Sequence, residues 1–131
     1  MITEDYVSFE TAKLLKEKGL DEYGMYFYTL KDEGREGYKS NKRLGEFAHN
    51  SHPELKERAV SCPTLQMAMK WLREKCIFIT LNIIAFNLNG LPIWHFVIWR
   101  NNNHEYRSSD YFDSYEQACE AAIKYCLENL I

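Results

Sequence analysis

Asn89-Gly90 stands between two apolar runs, Cys76–Leu88 and Leu91–Arg100, and no other feature of this chain restricts its fold as strongly. An Asn-Gly pair flanked by strand-like residues predicts a tight β-hairpin, because a two-residue turn of this kind needs positive φ at both positions. With Asn89 and Gly90 at the tip, Phe86 pairs with Ile93, Ile84 with His95, Asn82 with Val97 and Thr80 with Trp99. Opposed residues share a face and successive residues alternate. One face then collects Ile77, Ile79, Leu81, Ile83, Ala85, Trp94, Phe96 and Ile98, a core face. The other mixes Phe78, Ile84, Phe86, Ile93, Val97 and Trp99 with Thr80, Asn82 and His95. It is too apolar for plain solvent exposure and too polar for a uniform core.

The rest of the chain supplies elements to cover such a sheet. Ser8 is a good N-cap for a helix over 9–18, with Gly19-Leu20 as its stop and Thr11, Leu14 and Leu15 as its buried stripe. Met25–Leu30 reads as an aromatic-rich strand, with a return strand through Tyr38 after the Asp32-Glu33-Gly34 turn. A second helix is expected over 64–74, with Leu65, Ala68, Met69 and Leu72 facing inward. Met67 and Trp71, four apart on a neighbouring arc, either widen that stripe or form an exposed apolar pair. After the hairpin, Asn101-Asn102-Asn103 turns the chain into a third strand over about 105–112. A two-residue loop there sets Asp110 opposite His95, and a three-residue loop puts Tyr106 and Phe112 on the core face. Ser114 and Gln117 form a capping-box pattern for a last helix over 115–130, whose stripe runs from Tyr115 through Cys119, Ala122, Ile123, Cys126 and Leu127 to Leu130.

The expected architecture is α+β with two layers. Its antiparallel sheet is a three-stranded meander over 76–112 plus an N-terminal strand or hairpin near 25–40, and three helices pack on one face. At 131 residues, with 46% hydrophobic and 15% aromatic residues, the chain is expected to form a single domain over 1–131. Segment 35–61 is polar and poorly periodic and reads as a long irregular connection.

Composition excludes more functions than it selects. The net charge of -3 carries no global nucleic-acid signature. Met1-Ile2-Thr3-Glu4-Asp5 does not read as a secretory signal, and no apolar run is long enough to span a membrane, so a cytoplasmic protein is expected. Cys62, Cys76, Cys119 and Cys126 have no CxxC or zinc-finger spacing and read as buried reduced thiols. His49-x-x-His52 beside Glu54 has ligand spacing, but Pro53 and the absence of a further ligand favour a solvated loop over a metal site. No catalytic residue, cofactor or small-molecule substrate is identifiable.

Two site readings and one chemical alternative follow. Trp99, His95, Asn82 and Phe78 on the mixed face, with Met67 and Trp71 on the second helix, are candidate partner-binding residues. That face has three possible occupants: segment 35–61, a second copy of the chain, or a partner in a groove. Arg35, Tyr38, Lys39, Lys42 and Arg43 form a basic stretch with one aromatic that suits a phosphate backbone, although Glu33 and Glu36 dilute it. His95, if oriented by Asp110, could serve as a general base. Of the three, a non-enzymatic protein acting by protein binding or self-association is the leading expectation.

Val7–Gly19, Pro63–Glu74 and Ser114–Leu127 together resemble a group of small uncharacterised bacterial proteins associated with prophages and other mobile elements. The resemblance covers the three helices, under a third of the chain. It implies a bacterial, cytoplasmic, phage-related accessory protein and carries over no catalytic residue.

Overall fold

The Asn-Gly turn does form a hairpin, but as part of a three-residue loop. In the computed structural model, which describes residues 2, 4–21, 27–29, 39–40, 59–101, 103–108 and 110–131, Gly90 N–H bonds Asn87 C=O and Asn87 N–H bonds Leu91 C=O. Gly90 takes φ +77°; a Cβ there would meet no neighbouring atom, so only the backbone angle reserves the position for glycine. The loop shifts the pairing by one residue, and a β-bulge between Ile83 and Ala85 shifts it once more. Two single shifts make an even one. Ile79 therefore meets Ile98 and Leu81 meets Phe96 on the expected face, although neither pair has the expected register.

The described residues form two compact units, 1–64 and 65–131. In the first, α1 (Phe9–Glu17) begins at Ser8, whose Oγ accepts from Thr11 N–H at 3.3 Å. It ends in a Schellman arrangement: Gly19 at φ +101°, Gly19 N–H on Lys16 C=O and Leu20 N–H on Leu15 C=O. Strands β1 (Phe27–Thr29), β2 (Lys39–Ser40) and β3 (Ala59–Ser61) make an antiparallel sheet in the order β2-β1-β3, and α1 packs beside β3. The pairing of Phe27 with Ser40 matches the N-terminal hairpin expected near 25–40. Segment 35–61, expected to be a long irregular connection, contains β2 and β3. Both are too short to show periodicity in sequence, yet Val60 is buried.

The second unit carries α2 (Leu65–Glu74), β4 (Ile77–Phe86), β5 (Pro92–Arg100), β6 (Asn103–Arg107) and α3 (Tyr115–Asn129). Cys76 makes the sharp turn from α2 into β4 with φ +61°, a left-handed conformation usually left to glycine or asparagine. The strands form an antiparallel meander in the order β4-β5-β6. The protein is thus α+β. Its strands divide between two sheets, and the three helices divide with them, α1 in the first unit and α2 and α3 in the second.

Helices α2 and α3 cover the face of Trp94, Phe96 and Ile98. Trp94 meets Tyr115 edge-on, Phe96 lies against Tyr106 and Phe112, and Tyr106 stacks on Tyr125 with centroids 4.0 Å apart. Cys119 approaches Met69 of α2 at 3.5 Å. The third strand is shorter than the 105–112 expected. A bulge after a two-residue turn at Asn101 places Tyr106 opposite Ile98, and Phe112 returns to bridge Trp94. Both aromatics are on the core side, as the three-residue alternative expected.

Between those points the chain leaves the sheet at Ser108. This buried serine accepts from Phe96 N–H at 3.1 Å, donates to Asp110 C=O at 3.2 Å, and gives its own N–H to Phe96 C=O. Ser108→Ala would strip Phe96 N–H of its acceptor inside the core. A loss of about 1–3 kcal/mol in urea-unfolding free energy is expected; a change inside measurement error would show that water replaces the hydroxyl.

Candidate interaction surface

Exposure in the second unit follows strand order more than sheet face. β5 is central, and His95 through Ile98 are buried on both faces. β4 is an outer strand, and from Asn82 to Phe86 every residue is exposed. The mixed face therefore splits, with Val97 and His95 buried and Phe78 open, while beyond the bulge Phe86 pairs with Pro92 and so moves to the face of Trp94.

The polar groups on that face satisfy one another. Trp99 Nε1 donates to Thr80 Oγ1 at 3.2 Å, and Thr80 Oγ1 donates to Val97 C=O at 3.3 Å. Asn82 and His95 are directly opposed, with Nδ2 and Nε2 3.4 Å apart. If the amide donates, the imidazole is the Nδ1–H tautomer. Asp110, the carboxylate expected to orient His95, lies in the excursion after β6; it is exposed, and no hydrogen bond joins it to the ring. The expected base therefore lacks its orienting carboxylate. His95 is a buried member of a sheet pair.

The remaining candidates separate. Trp71 is only 8% exposed, with Lys75 Nζ 4.5 Å over its ring, so it belongs to the core of α2 and is not presented to a partner. Met67 is exposed, so the pair splits where sequence expected the two together. Trp99 and Phe78 are partly exposed at the β4–β5 border. Of the basic stretch, Lys39 falls in β2, while Arg35, Tyr38, Lys42 and Arg43 lie outside the described residues. So do His49, His52 and Glu54, and so does most of the segment expected to cover the mixed face.

What sequence reasoning missed is the outer edge of β4. Trp94 and Phe96 direct their backbone bonds toward Phe112 and Ser108, away from β4. By antiparallel alternation, His95, Val97 and Trp99 face β4 and bind Asn82, Thr80 and Phe78. The N–H and C=O groups of Ile79, Leu81 and Ile83 then point outward, and among the described residues no strand lies beside them. Natural edges are usually blunted by lysine, proline, inward charges or short length. β4 has ten residues, Ile-Phe-Ile-Thr-Leu-Asn-Ile-Ile-Ala-Phe, with no charge and no proline; its single irregularity is the bulge at Ile84. Beyond it the loop exposes Leu88 and Leu91 as well. The available signal was the uncharged stretch from Ile77 to Leu91, but it does not reveal which strand becomes the edge.

No protein-family model matches the chain, and comparison with curated proteins and with solved structures gives no significant match. Among the described residues no helix is long and apolar enough to cross a membrane.

Proposed function

We propose that the protein is a non-enzymatic binding protein whose β4 edge and hairpin tip form its protein-interaction surface. The observation that carries this is the coincidence, on one strand, of outward backbone groups with exposed apolar side chains: Ile83, Ile84 and Phe86, continued by Leu88 and Leu91. Apolar patches of this kind on soluble proteins mark interaction sites, and an open edge recruits a further strand by main-chain hydrogen bonding. The resemblance of the three helical segments supports placing this role in a cytoplasmic accessory protein of a bacterial prophage or mobile element.

Site-specific photocrosslinking tests the surface directly. With benzoylphenylalanine in place of Ile83 or Phe86, illumination of living cells is expected to give covalent protein adducts. The same probe at Tyr111, which is 69% exposed but off this edge, is expected to give none. A chain that yields no adduct from either β4 position would sink the proposal.

A further inference from the structure

We infer that the partner of the β4 edge is a second copy of this chain, joined by two-fold antiparallel pairing centred on Leu81. The inference rests on the proposal that this edge is a protein-binding surface, and adds its occupant and register.

The register follows from which groups point outward. The regular part of β4 lies between the left-handed turn at Cys76 and the bulge at Ile84, and its outward residues are Ile79, Leu81 and Ile83. An isologous contact pairs a surface with itself. A two-fold contact using all three outward residues must therefore be centred on the middle one. Leu81 then faces Leu81 of the second copy, and Ile79 faces its Ile83. About six backbone hydrogen bonds close the edge and turn two three-stranded sheets into one continuous sheet.

The side chains agree with that register on both faces. Ile79, Leu81 and Ile83 of the two copies line one face as an apolar row. On the other face Thr80 meets Asn82, polar against polar, and Phe78 and the bulged Ile84, both exposed and apolar in the single chain, come together at the ends of the pairing. Cross-strand pairs of matched character stabilise a sheet, whereas like charges directly opposed would oppose it. No charged residue occurs from Ile77 to Leu91, so no like-charge contact arises along the strand or at the tip. Within the paired stretch the exposed apolar side chains are Phe78 (46%), Ile83 (47%) and Ile84 (38%).

The test is a symmetric disulfide. In a hydrogen-bonded antiparallel pair the Cα atoms are about 5.5 Å apart, within disulfide reach. The exposed Cys76 is first replaced by glycine, which suits its φ of +61°. On that background Leu81→Cys is expected to give a covalent dimer after mild oxidation, and Phe78→Cys is expected to stay monomeric under denaturing conditions. Light scattering of the natural chain is expected to give twice the chain mass, and Ile83→Lys, an exposed substitution, to halve it with an unchanged circular dichroism spectrum. A monomeric natural chain overturns the inference, as does a dimer in which Leu81→Cys never crosslinks. If the chain is monomeric while the photoprobe at Phe86 captures a different protein, the two-fold pairing falls and the binding surface stands. If the probe captures nothing, both fall.

Discussion

Replacing Ile123 with alanine is expected to lower the unfolding free energy by about 2–5 kcal/mol, the largest single-residue loss on α3. Ile123 is completely buried, and so are its neighbours on the same stripe, Cys119, Ala122, Cys126 and Leu127. Three of those four are small, so they have little side chain with which to fill the space left by the removed carbons. The cavity term then adds to the lost transfer energy. Ile2→Ala is the matched control, because Ile2 is fully exposed and its truncation is expected to change stability by less than about 0.5 kcal/mol. Urea denaturation of both variants, compared at equal m-value, reads the contrast. Equal midpoints would mean that α3 does not contribute to the cooperative core.

The helices were legible because their signals are local. Ser8 and Ser114 each cap the helix they precede, and Ser114 Oγ accepts from Gln117 N–H at 3.1 Å, the first half of the capping box. Gly19-Leu20 closes α1 with the two bonds that such a stop provides. The hairpin was legible in its faces and not in its register. Ile83 and Ile84 are alike in size and shape, so no residue preference marks where one bulges out, and only the pairing with Trp94 and Ile93 shows the shift. The face assignment survived from Ile77 to Ile83 because the bulge and the three-residue loop each moved the register by one; between the two, Ala85 pairs with Ile93 and Phe86 with Pro92, so those residues exchange the faces expected of them. The third strand failed at its C-terminal half because Ser108 takes over backbone bonds that a continuing ladder would have made.

The candidate site was hidden for a different reason. Alternation reports which face a residue occupies, but edge or centre depends on strand order, a property of the whole chain. A ten-residue strand without charge reads as a covered one, since open edges ordinarily carry lysine or proline. β4 lies at the edge all the same, and this conflict between composition and position is what singles it out. Functional surfaces are where local rules are expected to fail. The pairing of Asn82 with His95 shows the converse: a histidine that looked chemical in sequence is occupied by its cross-strand neighbour.

Raising the pH from 8 to 10 is expected to destabilise the fold through two buried thiols. Cys119 and Cys126 have no exposed surface, and burial pushes both pKa values up to about 12 from an ordinary value of 9.0. The nearby carboxylates of Glu120 and Glu116 add to the shift at Cys119. Below pH 9 both states hold the proton and these groups contribute no pH dependence. Between about 9 and 12 the unfolded chain loses a proton that the folded chain keeps, so the unfolded state binds fewer protons and stability falls as pH rises. At pH 10 the loss is on the order of 1 kcal/mol for each thiol, and the two act in the same direction. Lysine and tyrosine ionisation also acts in this range, so the informative comparison is with the Cys119→Ala, Cys126→Ala chain, which keeps every other titrating group. Its stability is expected to be lower at pH 8, because truncating buried sulfurs opens small cavities, and to fall less steeply toward pH 10. Urea unfolding of the two chains at pH 8, 9 and 10, under reducing conditions, measures the difference in slope. Parallel pH profiles would show that these thiols ionise within the folded protein as readily as in water, and that the α2–α3 interface around Cys119 and Met69 admits solvent.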